Sequence, residues 1–445
     1  MSSTTVTPGA TLTPGATLTP PGATAPGAPG AHRAARPGPQ PPEGAPRKAR
    51  ARELEGYRGI AALSIIAFHV YQYAIQSNTT NPLVNQLGRF EIVDILFVLS
   101  AYLLTLPYAR AAVNQTSLRT SRQFLLRRAV RILPLYWIGI LVVWGVRNPG
   151  LPGDWRDLLE HLTFTQVFDR KRIFYTLGPS WSMSLEVMFY LVLVLLAPLA
   201  YRACTRIASR RDRVRVLLAG CAVLFAVPVA WNNLAYLAFH VTFENWPVYF
   251  GPQARFGAFA VGMALAVMVA ARDGKPLFRG LWPMALRLGA VAIVAFAWWI
   301  DRPDSWGQIA FHDIASVGWL LLMGSTVLGA GGQFWSRALS WRALTWIGLI
   351  SYSTYIWHEP VMLLLNRLGV INRSMGLFPW SVFVVLTASV GAGWLSYWVI
   401  EYPTGKLRAL HDNEGRPRDY YPELTAPAAP VPAAVTPERE LVTVR

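Results

Sequence analysis

The sequence is short of charge, of acid and of cysteine, and each shortage excludes something. Charged residues are 15% of 445. A soluble chain carries about a quarter, so one large water-soluble domain is ruled out. Acidic residues number 24 against 41 basic ones, a net charge of +17. Two cysteines, Cys204 and Cys221, make no metal or disulfide pattern. The first 50 residues hold no apolar core, so no cleavable signal peptide is expected and the first span is expected to target the chain. No internal repeat of spans is visible, which argues against a proton-coupled transporter, the alternative that buried His, Glu and Arg would also suit. A lipid-embedded scaffold without turnover fits the many intramembrane ionisable groups less well.

What is present is apolar. Hydrophobic residues are 53% of the chain, mean hydropathy is +0.32, and they come in blocks of about the ~20 residues that cross a ~30 Å hydrocarbon core. We expect an all-α polytopic membrane protein of about ten transmembrane helices, at 57–76, 91–108, 132–147, 179–199, 215–234, 253–271, 287–301, 312–331, 344–365 and 378–400. A barrel would need alternating strands of ~10 residues instead. With both termini cytoplasmic, the cytoplasmic loops hold twice the Lys and Arg of the outward loops. The arginines therefore follow the bilayer, and no nucleic-acid partner is implied. Residues 1–50 repeat TPGATL and are rich in Pro, Ala, Gly and Thr, as expected of a disordered cytoplasmic tail. Residues 53–405 form the transmembrane domain, and 406–445 a second disordered tail.

Some polar residues do not belong in lipid. In EGYRGIAALSIIAFHV, Arg58 and His69 are 11 residues apart. That spacing is about three helical turns, so both share one face about 16 Å apart in depth. A histidine there faces the bundle interior or a wet cavity, as a working group or as a structural bond to a neighbouring helix. In FLLRRAVRILPLYW, Arg128 and Arg131 share a face at the cytoplasmic mouth of the third span, with Pro134 read as that span's start. Clustered guanidiniums suit phosphates, although on these residues alone a positive-inside anchor is the favoured explanation. In GPSWSMSLEVMFYLVL, Ser182 and Glu186 lie on one face, and the Glu186 carboxylate needs a histidine or arginine partner. Arg255, Asp94 and the pair His358–Glu359 are further intramembrane or near-interface polar groups.

Taken in order, LEGYRGIAALSIIAFH, VDILFVLSAYLLT, RRAVRILPLYW, PSWSMSLEVMFY, ISYSTYIWHEPV and IEYP make the chain resemble the acyltransferase type 3 family of bacterial integral-membrane O-acyltransferases. Glu55 stands where the family has aspartate, Ala101 where it has glycine, and Tyr402 where it has arginine. Many relatives carry a further soluble esterase-like domain at the carboxyl terminus, and none is expected here. The resemblance implies transfer of an acetyl or other short acyl group from acyl-coenzyme A, acetyl-coenzyme A foremost. The acceptor is a hydroxyl of a cell-surface glycan or a macrolide-like natural product, and the setting is a bacterial cytoplasmic membrane. On it, His69 is the general base and Glu186 its orienting or charge-paired partner. Arg58, Arg128 and Arg131 hold the coenzyme A phosphates, and Ser182, Arg255 and His358 are candidate substrate-binding residues. No metal is implied.

The charge bias predicts that alkaline phosphatase fused within 235–252 is active outside the cell while a fluorescent protein at the carboxyl terminus glows in the cytoplasm. The opposite pattern would invert the topology.

Overall fold

Long apolar runs with few competing polar groups fold as the sequence leads one to expect. The computed structural model describes residues 45–75, 86, 90–150, 152–330, 333–372 and 377–411; most of the two expected tails lies outside them. Among the described residues there is no strand, only an isolated bridge between Phe278 and Gly329. The helices are α1 (Ala45–Ile75), α2 (Asp94–Asn114), α3 (Ser121–Arg147), the short α4 (Trp155–Leu162), α5 (Trp181–Thr205), α6 (Arg210–Asn233), the single-turn α7 (Trp246–Phe250), α8 (Pro252–Ala271), α9 (Trp282–Ile300), α10 (Trp306–Val327), α11 (Gln333–Leu339), α12 (Arg342–Leu349), α13 (Ser351–Arg367), α14 (Phe378–Ser396) and α15 (Tyr402–His411). Eight helical segments among the described residues are long and apolar enough to cross a membrane. The remaining two expected spans correspond to the 31-residue α1 and to the pair α12–α13. The chain is an all-α polytopic membrane protein.

The helix ends depart from the expectation in three instructive places. The loop expected at 109–131 shrinks to 115–120: α2 runs on to Asn114, and Thr120 caps α3 by accepting from the Gln123 N–H. Arg127, Arg128 and Arg131 are thus inside a helix, and Pro134 lies within it rather than at its start. The expected span 344–365 is two helices that meet at Ile350. The last span continues from α14 through a π-turn at Tyr397–Glu401 into α15. Such turns carry an extra residue per turn and re-aim side chains; here the residue at its end is Glu401.

Helices α2, α8 and α10 are the buried centre, while α6, α9 and α14 expose Leu, Val, Phe and Trp outward. Lipid tails are as apolar as these side chains, so that outward face is at no disadvantage in a bilayer. Phe97 of α2, Phe259 of α8 and Phe189 of α5 stack, with centroids 4.8 and 4.6 Å apart. Small residues then decide how near the backbones come. A Cβ on Gly262 of α8 would lie 2.7 Å from the Ala101 Cβ, so the alanine at the family's glycine position is accommodated by a glycine on the facing helix. Gly59 of α1 and Gly348 of α12 form a second close crossing, with Gly56 of α1 against Leu339 of α11 beside it. A Cβ on Gly59 would meet Leu344 Cδ1 at 2.9 Å, and one on Gly348 would press on the Glu55 backbone. This crossing positions the helix that carries Arg58 and His69.

Gly348→Val is accordingly expected to destabilise the protein by about 1–3 kcal/mol through overpacking. Gly220→Val, where nothing lies within 4 Å, should leave the melting temperature in detergent unchanged. Equal melting of the two variants would refute the close-crossing account.

Candidate active site

Two histidines meet in the interior. Helix α1 carries His69 and α13 carries His358, and His358 Nε2 lies 3.1 Å from His69 Nδ1 across 289 residues of sequence. His69 Nδ1 also faces the Ile65 carbonyl at 3.0 Å, and His358 Nδ1 faces the Tyr355 carbonyl at 2.5 Å. A carbonyl can only accept, so a neutral His358 carries its proton on Nδ1 and its Nε2 is a lone pair. His69 Nδ1 then faces two acceptors and must donate, which leaves the lone pair of His69 on Nε2. Among the described residues no carboxylate hydrogen-bonds to either ring. His358, expected to bind substrate, stands beside His69 and is itself buried.

Ser182 joins the same layer from α5. Its hydroxyl is 2.8 Å from the Tyr355 hydroxyl, which donates to the Pro179 carbonyl at 2.9 Å, and the Tyr355 ring lies 5.4 Å from that of His358. One residue beyond His358, the Glu359 carboxylate accepts from the Gly178 N–H at 2.7 Å. Gly178 leaves no space for a side chain, because a Cβ there would sit 2.7 Å from that carboxylate.

The arginines gather in a second layer. Arg58 pairs with Glu55 at 2.7 Å. Glu186 accepts from the Ser100 hydroxyl and from the Tyr190 hydroxyl at 2.9 Å, and it interacts electrostatically with Arg128 and Arg58. Glu401, on the π-turn, accepts from Ser353 and interacts electrostatically with Arg131 and Arg58. The three arginines therefore act electrostatically on two carboxylates, and Glu401, within the IEYP segment, is a member that sequence reasoning passed over. The expected pairing of Glu186 with His69 does not form. Ser182 is the α5 residue connected to the histidines through Tyr355; Glu186, about 6 Å further along the helix, reaches the arginines instead.

Arg255 belongs to a third group. Its Nε donates to the Tyr249 carbonyl at 3.1 Å, and its guanidinium sits 4.4 Å from the Tyr249 ring centroid, 4.9 Å from Phe250 and 5.5 Å from Trp181. Both terminal amino groups are buried without a hydrogen-bond partner, in a residue only 2% exposed. Nearby, His312 Nδ1 donates to Asp94 at 2.6 Å, and His312 Nε2 lies 3.2 Å from the Tyr249 hydroxyl and 3.9 Å from Glu91. Asp313 follows on the same helix and interacts with His312 and Arg255. The sequence pointed to Asp94 alone here; the adjacent His312–Asp313 at the start of an apolar run was the available signal. Among the described residues, no three His, Cys, Asp or Glu side chains are placed to hold a metal ion. Cys204 and Cys221 are buried and belong to none of the three groups.

Comparison with known proteins bears on this arrangement. The profile of a family described as an acyltransferase domain matches residues 52–398. YrhL of Bacillus subtilis, whose assignment as a peptidoglycan O-acetyltransferase is provisional, is 27% identical over 79% of this chain and 54% of its own length. The peptidoglycan O-acetyltransferase OatA of Listeria monocytogenes is 23% identical over 79% of this chain and 55% of its own. The O-acetyltransferase OatA of Staphylococcus aureus is 24% identical over 79% and 57%. The chain thus spans about half the length of the curated relatives it matches. No solved structure matches it.

The partners of Glu186 predict how it responds to substitution. Glu186→Ala strands the Ser100 and Tyr190 hydroxyls and leaves Arg58 and Arg128 under-compensated, at a cost of about 1–3 kcal/mol. Glu186→Gln, which can still accept one of those bonds, should cost less. Thermal unfolding of the purified variants measures both, and equal stability of Glu186→Ala and wild type would contradict the assignment.

Proposed function

Because the chain belongs to the acyltransferase family whose profile covers residues 52–398, we propose that it is a membrane O-acyltransferase of the bacterial cytoplasmic membrane. It moves an acetyl or other short acyl group from acyl-coenzyme A to a hydroxyl of a carbohydrate-containing acceptor. The relatives named as peptidoglycan O-acetyltransferases favour a cell-wall glycan over a natural product as that acceptor. The observation that carries the reading is the histidine pair. An alcohol is a poor nucleophile until a base accepts its proton, and neutral imidazole does this near pH 7. With both rings neutral, hydrogen bonds at Nδ1 leave the His69 lone pair on Nε2, which supports this reading.

In the transfer, His69 Nε2 takes the proton of the acceptor hydroxyl as its oxygen attacks the thioester carbonyl. The tetrahedral carbon then expels the thiolate, which recovers the proton from His69. The transient imidazolium is stabilised through its Nδ1–H by the Ile65 carbonyl and the bare Nε2 of His358. His358 is thus a positioning residue, in the role that a carboxylate often fills behind a histidine. A neutral partner avoids burying a fixed charge beside the base.

Arg58, Arg128 and Arg131 are the residues suited to the donor's phosphates. Arg58 lies about three helical turns from His69 along α1, a depth that an extended pantetheine arm spans. Glu186 and Glu401 hold the guanidiniums together when no donor is bound, and planar guanidinium forks match phosphate oxygens in pairs.

His69→Ala should lower acyl transfer by about 10²–10⁴-fold without changing donor affinity; wild-type turnover in that variant would remove the base assignment. His358→Phe, which keeps a ring but loses the acceptor nitrogen, should reduce kcat and leave KM for both substrates in place. Arg128→Ala/Arg131→Ala should raise KM for acetyl-coenzyme A and flatten its salt dependence, and an unaltered KM would end the phosphate proposal.

A further inference from the structure

The group around Arg255 has no part in the transfer step above, yet it is built like a binding site. Burying a guanidinium with both terminal amino groups unsatisfied is costly, and the fold maintains it with three aromatic rings and a bond to the Tyr249 carbonyl. Those amino groups are donors awaiting acceptor oxygens.

The charges around Arg255 decide which oxygens. Glu91, Asp94 and Asp313 share the region with Arg255 and His312, and Arg255 interacts electrostatically with both Glu91 and Asp313. An anionic ligand would meet three carboxylates, and a cationic one would meet a buried guanidinium. A neutral polyhydroxyl group satisfies both sets, because each hydroxyl accepts from Arg255 while donating to a carboxylate. The rings of Trp181, Tyr249 and Phe250 supply an apolar wall for the C–H face of such a group. Asp94 is already committed to His312, which holds the Nε2 of that ring toward Tyr249 and Glu91.

Placement supplies the second argument. Trp181, whose ring lies 5.5 Å from the Arg255 guanidinium, directly precedes Ser182, which bonds Tyr355 beside His358. The Arg255 group therefore adjoins the histidine layer, and the arginines at Arg58, Arg128 and Arg131 form a separate layer around Glu186 and Glu401. We propose that Arg255, Glu91 and the Asp94–His312 pair form the acceptor subsite, which binds a neutral sugar ring and presents its hydroxyl to His69. This rests on the acyltransferase reading for its purpose, but not for the binding itself.

The test uses the full chain in lipid nanodiscs, with tetra-N-acetylchitotetraose as the neutral probe, tetragalacturonate as the anionic one and acetyl-coenzyme A as the donor, each titrated by calorimetry. The neutral oligosaccharide should bind wild type more tightly than the anionic one. Arg255→Met and Glu91→Gln should each weaken it by about tenfold or more while acetyl-coenzyme A affinity stays put, which also reports that the variants are folded. Arg128→Ala/Arg131→Ala should show the reverse. Oligosaccharide affinity unmoved in both variants, or tighter binding of the anionic probe, overturns the subsite. Intact oligosaccharide binding with no affinity for acetyl-coenzyme A supports the subsite and instead defeats the acyltransferase reading.

Discussion

A charge or hydrogen-bonding group in hydrocarbon must find its partner inside the protein, because lipid offers none. That constraint organises this bundle. Many of its buried ionisable groups meet partners from other helices, and three such sets stand out among the described residues: arginines around Glu186 and Glu401, the histidine pair beside Tyr355 and Ser182, and Arg255 with Asp94, Glu91, His312 and Asp313. Between them lie apolar contacts such as the Phe97–Phe259–Phe189 stack. A polar group displaced from its set would lose its partner and gain no water.

The sets exist only because helices come close enough to share them. Gly59 and Gly348 hold α1 against α12, Gly56 holds α1 against the end of α11, and Ala101 against Gly262 holds α2 against α8. Without a hydrophobic driving force between helices in lipid, this close backbone packing is a main source of association. The same crossings that stabilise the bundle therefore also set the register at which His69 meets His358 and Asp94 meets His312. Stability and site geometry are not separable here.

The three sets also differ in chemistry, which gives the bundle a direction. The arginines suit phosphate oxygens, the neutral histidine pair suits proton transfer, and the mixed set around Arg255 suits hydroxyls. Their order runs from Arg58 to His69 along α1, then through His358, Tyr355 and Ser182 to the neighbouring Trp181 and Arg255. A donor and an acceptor approaching from different ends would meet at His69.

Much of this was legible in the sequence for local reasons. Apolar block length determined that the chain is a bundle of membrane helices, since only ~20 residues of helix cross the core. Helical phase determined that Arg58 and His69 share a face of α1, and that Arg128 and Arg131 share one of α3, because both helices run unbroken through those residues. Tertiary structure alone decided the partners. His358 lies 289 residues from His69, and His312 lies 218 from Asp94; no periodicity along one helix encodes which neighbour faces it. The carboxylate that sequence reasoning assigned to His69 went to the arginines, because the depth at which α5 packs was set by contacts such as Ser182 with Tyr355 and Gly178 with Glu359. Which residues are awkward in lipid is a local property of the chain, whereas which of them relieve one another depends on how the helices cross.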